Sequence, residues 1–398
     1  MITIQQATKI VLENRIDLPT EIVKLENAIG RQLREDLIAD RPFPPFNRVA
    51  MDGIAIRFSD FENGQRTFPI VGVQAAGSPQ LEISKNGVCA EVMTGSMLPK
   101  GVDTVIRYED VLIENNQATI QIETIRNGQN IHKKGTDRVE GDILVNAGKI
   151  ISSAEIGVAA TVGKSELHVT KLPKVAIIST GDELVNIDET PEPYQIRSSN
   201  VYTISSLLQQ HQIQAELFHI VDNQEATIDK LKILLNDFDV LILSGGVSKG
   251  KFDYIPAALE ALKVEKLFHR VRQKPGKPFW FGKNENNKVV FALPGNPASA
   301  FMCTNRYFLP WLRASMNVEP FDYQYITLAE DFYFKANLQY FLQVKINYNT
   351  NGQVTGKPIA GRGSGDLANL ADVDGFLELP AEKTEFKKGE IYPFIRFR

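Results

Sequence analysis

Cysteine is almost absent from this chain of 398 residues: Cys89 and Cys303 are the only two, far apart and outside any C-x-x-C spacing. That argues against a disulfide framework or a thiolate zinc site and fits a reducing cytoplasm. Neither sign of charge is in large excess. The formal net charge of −4 argues against a nucleic-acid binder while leaving room for a local basic pocket. No stretch approaches the roughly 18 unbroken apolar residues of a membrane span. The opening MITIQQATKIVLENR is polar and amphipathic, unlike a signal peptide. His132, His168, His211, His219 and His269 show no metal-binding spacing, and no long repeat or low-complexity tract is present. What remains is an ordinary globular composition, 43% hydrophobic and 23% charged. A cytosolic protein of roughly two to four domains is expected.

Thr3 and Gln6 have capping-box spacing, and Ile4, Ala7, Ile10 and Val11 recur at helical intervals, predicting a helix over about 3–14. The prolines of RPFPPFNRVAMDGIAIRF forbid helix over 41–58. Beyond them Thr119, Gln121 and Glu123 alternate with Ile120, Ile122 and Thr124, and Asn-Gly pairs punctuate the chain. Residues 41–146 therefore read as a β-rich domain. Ser152 with Glu155 opens a second short helix that Gly163 ends. That helix returns the chain toward the first, so 1–40 and 147–170 are expected to form a discontinuous linker domain. After Pro173 the pattern changes to buried apolar runs at 175–179, 240–243 and 289–293, alternating with amphipathic helices at 199–210 and 227–236. Such alternation predicts an α/β domain with a parallel-type sheet over 171–317. From 318 to 398 the chain reads as a small C-terminal β domain.

The loops after those three strands lie where open α/β sheets place their ligands. The first, STGDEL, carries Thr180, Asp182 and Glu183. Adjacent carboxylates suit a divalent cation or an activated water, but Asp182 or Thr180 could equally cap a helix. The second, LSGGVSKGKFDY, contains the G-x-x-x-x-G-K of a P-loop, with Phe252 where Ser or Thr is needed to hold Mg²⁺. Ser244, Gly245 and Gly246 still suit a phosphate, with Lys249 or Lys251 supplying charge and Asp253 capping the next helix. The third, ALPGNPASA, brackets Gly295-Asn296 between Pro294 and Pro297. RQKPGKPFWFG adds Lys274 and Lys277, with Arg270 nearby. These cations suit phosphates or an oxyanion, although turns with solvent-facing lysines would read the same way. In the β-rich region Asp52, Thr94, Asp137 and Asp142 each sit in Gly-rich turns, where Asp is usually turn chemistry.

Taken in order, PPFNRVAMDG, VMTGSMLPKGVDTV, KKGTDRVEGD, STGDELV, IRSSN, LILSGGVSKGKFDY, KPGKP, LPGNPAS and GRGSGDLANLADVDGFLELP resemble the molybdopterin molybdotransferase family, enzymes related to the E domain of gephyrin. The resemblance implies four domains, with a molybdopterin-binding-like α/β domain, and a homodimer in which the N-terminal β domain of one subunit faces the pocket of the other. It implies insertion of molybdenum from molybdate into adenylylated molybdopterin, with phosphoanhydride cleavage, release of AMP and support by Mg²⁺. Asp52, Asp137, Glu183 and Asp253 match catalytic positions. Hard oxygen ligands for Mg²⁺ would come from Asp52, Asp137, Glu183, Asp222 and Asp253, with Asp52, Glu183 and Asp253 the expected direct ligands. Ser244, Gly245, Gly246, Lys274 and Lys277 would meet phosphates, and Arg270 with the Pro294 to Pro297 loop would meet molybdate. Thr94, Thr180 and Ser364 match further substrate positions.

The chain also departs from the usual family pattern. Asn47, Arg48 and Val49 stand where Asp, Asn and Ser are usual, and His132 where Arg is usual. Thr136 replaces a Glu, Ser198 an Asp, Lys249 a Val and Lys251 an acidic or small residue. Most of these changes add positive charge or remove negative charge, so a redistribution of phosphate or molybdate contacts is expected. A diverged molybdopterin-binding scaffold is one competing reading, but a scaffold would tolerate loss of the retained carboxylates. A nucleotide pyrophosphatase is the other, and it gives no reason for the N-terminal motifs.

Overall fold

The computed structural model describes residues 1–247, 254–335, 337–359, 361 and 363–398. The chain divides into two compact units: Met1–Arg34, Gly148–Ser152 and Leu167–Arg398 form the larger, Glu35–Ala147 and Ser153–Glu166 the smaller. The segment 147–170, expected to join 1–40, is thus shared between the two.

The larger unit is built on a six-stranded sheet in the order Glu216–Ile220, Val175–Thr180, Val240–Ser244, Val289–Leu293, Trp280–Lys283, Glu265–His269. The first four strands are parallel, as the apolar runs at 175–179, 240–243 and 289–293 predict for three of them. The other, Glu216–Ile220, is mostly exposed and lies outside those runs, and the last two strands continue the sheet antiparallel. Pro275, Pro278 and Gly282 break up the pattern around Trp280 and hide that strand from periodicity. The central strands are buried on both faces. Ile177, Ile242 and Phe291 face one apolar cluster, and Ile178, Leu241, Leu243 and Val290 face the other. Each such side chain contributes on the order of 1.5–3 kcal/mol by leaving water. Helix Ile4–Glu13 packs into the first cluster through Ile4, Ala7 and Val11. Its start is held by Thr3 Oγ1 accepting from Gln6 N–H at 3.2 Å and the Gln6 side chain accepting from Thr3 N–H at 2.9 Å, a cap of about 1 kcal/mol. Helices Gln224–Asp237 and Ile255–Ala261 cover the second cluster.

Beyond the sheet, Pro297–Cys303 runs through a π-helical turn, Thr304–Phe308, into Leu309–Ser315. The C-terminal strands Gln339–Tyr348, Val354–Pro358, Gln324–Leu328, Ile391–Arg396 and Gly375–Leu379 close on themselves, because the last also pairs with the first. Closure leaves no unpaired edge in this small barrel, whose core holds Leu328, Leu342, Val344, Leu377 and Phe394.

The smaller unit carries its own six-stranded sheet, ordered Thr104–Arg107, Gly53–Ile56, Cys89–Val92, Thr67–Gln74, Gln117–Ile120, Val111–Glu114, with an apolar cluster on each face. Helix Ser153–Thr161 belongs here, and Gly163 follows it at φ 74°. Among the described residues no helix is long and apolar enough to cross a membrane.

Candidate functional site

In the larger unit the loops after Val175–Thr180, Val240–Ser244 and Val289–Leu293 open on one rim and enclose a cavity of about 630 Å³. Its lining includes Thr180, Glu183 and Asp222, then Ser244, Gly245 and Gly246, and Pro294 and Pro297. Eight of the residues expected from sequence are therefore brought together. Gly245 and Gly246 have φ of 103° and 67°, which L side chains rarely adopt. A Cβ at Gly245 would lie 2.8 Å from Thr180 Oγ1, and one at Gly246 2.7 Å from Ile255 Cγ1. Gly245 N–H is already donated to Leu293 O at 3.1 Å, so that glycine acts through shape rather than as a phosphate donor. Beside it, Thr180 Oγ1 is buried and has no hydrogen-bond partner among the described residues.

STGDEL does not cap a helix. Gly181, at φ 128°, turns the chain into Leu184–Val185, which pairs in parallel with Ile196–Arg197. The Glu183 carboxylate folds back over Gly181, where any Cβ would collide with it. Asp182 Oδ1 accepts the Asp222 N–H at 2.9 Å and so fixes the loop that presents Asp222. Two residues outside the expected set complete the rim. Asn200 Nδ2 donates to Ser244 Oγ at 2.8 Å and to Gly295 O at 2.7 Å, tying two strand-end loops to the start of helix Asn200–Gln209. Arg197 is part of the cavity lining, and its guanidinium Nε donates to Glu189 O at 3.0 Å. Their one sequence signal was the IRSSN motif. Ser364 docks on the third loop, accepting Asn296 Nδ2 at 2.7 Å through Oγ and Ala298 N–H at 3.1 Å through its carbonyl.

The expected cations of 270–277 do not line this cavity. The Lys274 ammonium lies 5.3 Å over the Phe334 ring and 6.0 Å over Tyr340. Arg270 stands at φ 77° in a turn whose backbone pairs with Phe279 and Ile2. The Lys277 carbonyl accepts from Val271 N–H at 3.0 Å while its side chain is exposed. Lys249, Lys251 and Asp253 lie outside the described residues.

The smaller unit holds the remaining positions. Asp52 Oδ1 accepts both the Oγ1 hydroxyl and the N–H of Thr94, each at 2.6 Å. These bonds, the hydroxyl's first, hold the Asp52 carboxyl below its ordinary value. The two loops are zipped by Val49 N–H to Ser96 O at 3.0 Å and Gly95 N–H to Val49 O at 2.9 Å. Asp137 Oδ1 lies 2.9 Å from His132 Nε2. Asp142 accepts Val139 N–H at 2.9 Å, the turn chemistry its setting suggests. Both thiols are buried, and burial pushes Cys89 up to about 12 and Cys303 well above its ordinary value; neither is a nucleophile. Among the described residues no group of three His, Cys, Asp or Glu side chains forms a metal cluster. Glu183 and Asp222, with the Thr180 hydroxyl, nonetheless offer the cavity hard oxygen donors of the kind Mg²⁺ takes.

Residues 2–163 match the MoeA N-terminal region (domain I and II), 176–314 a "Probable molybdopterin binding domain", and 325–397 the MoeA C-terminal region (domain IV). The molybdopterin molybdenumtransferase of a Synechocystis species is 38% identical over 397 residues, covering 99% of both chains. The chain belongs to the MoeA family. A Staphylococcus epidermidis relative of the same name is 31% identical, over 99% of this chain and 95% of its own. The crystal structure of the MoeA molybdopterin biosynthesis protein from Pyrococcus horikoshii superposes with a TM-score of 0.83 at 26% identity, covering 100% of both chains. Within this MoeA chain all of the cavity's lining residues but Gly365 fall in the segment matched to molybdopterin binding, and Asp52, Thr94 and Asp137 in the N-terminal region.

Proposed function

We propose that the protein is a molybdopterin molybdotransferase, inserting molybdenum from molybdate into adenylylated molybdopterin with cleavage of the phosphoanhydride and release of AMP. The observation that carries this reading is the cavity at the carboxyl ends of three parallel strands, lined by Ser244 to Gly246 and by Thr180, whose buried hydroxyl has no partner among the described residues. A buried hydroxyl without a partner costs roughly 1–3 kcal/mol, a cost relieved when a ligand oxygen meets it. The same substrate gives a reason for an N-terminal carboxylate set that a plain nucleotide hydrolase does not need.

The residues divide the work. Ser244 and Thr180 offer hydroxyls to phosphate oxygens, and Arg197 offers a cation at the rim. Gly245 and Gly246 let the backbone approach closely. The Pro294 to Pro297 loop, pinned by Asn200 and Ser364, shapes a rigid recess suited to a small oxyanion. Glu183 and Asp222, with Asp253, would hold Mg²⁺, whose charge would neutralise the phosphates. Asp52, held ionised by Thr94, and Asp137 belong to the same catalytic set. The protein works in the cytoplasm as a homodimer, in which these carboxylates of one subunit serve the cavity of the other.

The test is AMP release by the purified protein with adenylylated molybdopterin, molybdate and Mg²⁺. Molybdate-dependent AMP release lost in Glu183→Ala and Asp52→Ala supports the reading. No AMP release sinks it, and AMP release indifferent to molybdate makes the protein a pyrophosphatase instead.

A further inference from the structure

Four positions that depart from the usual family residues meet at one place in the smaller unit. Strand Arg48–Val49 pairs antiparallel with Ile131–His132, making Arg48 and His132 cross-strand partners. Arg48 Nη2 lies 3.1 Å from His132 Nδ1, and His132 Nε2 lies 2.9 Å from Asp137 Oδ1. Asn47 Oδ1 accepts the Lys134 N–H at 2.9 Å, and Thr136 Oγ1 donates to Lys133 O at 2.8 Å, shaping the turn that connects His132 to Asp137.

Hydrogen-bond chemistry gives this chain a direction. A guanidinium donates through five N–H groups and accepts nothing. Arg48 is therefore the donor, and His132 Nδ1 must receive through its lone pair. The ring proton then sits on Nε2 and is donated to Asp137. One contact selects the tautomer, and the tautomer orients the carboxylate, as an outer partner commonly does for a functional histidine. An arginine at 132 would reach Asp137 directly. With histidine there, the cation stands one residue further back, at 48.

We propose that Arg48 and His132 are positioning residues for Asp137, a relay that replaces a direct arginine and leaves the second carboxylate oxygen for substrate. The relay rests on the reading of Asp137 as a site carboxylate. Stability does not account for it, because His132 and Asp137 keep 32% and 53% of their side-chain exposure, and pairs so exposed contribute little to folding.

The experiment compares His132→Gln, His132→Phe, Arg48→Met and the double exchange Arg48→Asn with His132→Arg, each in the full chain. Glutamine accepts from Arg48 through its oxygen and donates to Asp137 through its nitrogen, so it keeps AMP release within about threefold of wild type. Phenylalanine and Arg48→Met lower kcat by about tenfold to a hundredfold, the scale of a displaced catalytic group. The double exchange recovers most of that loss. Independently of turnover, ¹⁵N NMR of the wild type finds His132 protonated at Nε2 with Nδ1 accepting, a preference that Arg48→Met abolishes. The Asp137 carboxyl carbon shift moves in His132→Phe and not in His132→Gln. A wild-type ring protonated at Nδ1, or a glutamine variant as impaired as phenylalanine, overturns the relay. A wild type that releases no AMP overturns the functional reading alone, since the two NMR measurements still decide whether the relay exists.

Discussion

Glu378→Ala isolates one buried charge pair that seats the helix behind the cavity loop. Arg306, in the π-helical turn after Pro297–Cys303, meets Glu378 of barrel strand Gly375–Leu379 at 2.6 Å, with side chains only 5% and 7% exposed. The guanidinium also lies 4.8 Å over Phe321. Alignment is poor: among the described residues Arg306 Nε and Nη1 and Glu378 Oε1 have no hydrogen-bond partner despite the short separation, while Glu378 Oε2 accepts Gln339 Nε2 at 3.2 Å. Burial pushes the Glu378 carboxyl above its ordinary value, even with Arg306 pulling it down. Removing the carboxylate leaves an uncompensated buried guanidinium, a loss of about 3–5 kcal/mol. Replacing both partners by apolar residues, Arg306→Met with Glu378→Leu, removes two desolvated charges and three unsatisfied atoms together. That double variant should match wild type or exceed it by about 1–4 kcal/mol. Urea denaturation followed by tryptophan fluorescence reads the right unit, because Trp280 and Trp311 are the only two tryptophans and both are buried there. A loss under about 1 kcal/mol for Glu378→Ala, the range of exposed pairs, would refute the reasoning. So would a double variant less stable than the single one.

Four further outcomes are expected. Gly245→Ala places a Cβ 2.8 Å from Thr180 Oγ1 at φ 103°, costing about 1–3 kcal/mol in backbone strain and reducing AMP release at least tenfold. Gly389→Ala, at φ 92° with nothing within 4 Å, should show the stability loss in denaturation but keep activity. Thr94→Val removes the hydroxyl bond to Asp52, so NMR titration of that carboxyl should find its pKa raised toward the ordinary value; an unchanged titration would show that the hydroxyl does not set it. Glu390 is held down to about 2, chiefly by Lys383 and then by Tyr392. Its folded value lies below its unfolded one of about 4.3, so its contribution to stability is present above that value and lost as pH falls through about 2. The stability difference between wild type and Glu390→Gln should therefore vanish over that window in acid denaturation.

Residues such as Val240 to Leu243 and Val289 to Leu293 announce buried strands because both faces are apolar, and Thr3 with Gln6 announces a helix start by local spacing alone. The two antiparallel strands at 265–283 did not announce themselves, because Pro275, Pro278 and Gly282 interrupt the apolar run between them. The site divides in the same way. Glu183, Ser244 and Pro294 were legible because each ends or follows a buried strand, and in an α/β sheet that position is the ligand rim. Lys274 was legible as a cation but not in its setting, since the rings beneath it come from residues 334 and 340.

Sequence by itself therefore determined the buried strands, their order of loops and the residues offered at the rim, because burial and turn chemistry are written in runs of a few neighbouring residues. Tertiary structure alone decided that Asn200 binds loops 44 and 95 residues away, and that Arg48 reaches an imidazole 84 residues on. The reason is physical: a hydrogen bond needs two groups within about 3 Å, and only the folded chain brings residues so distant in sequence to that separation.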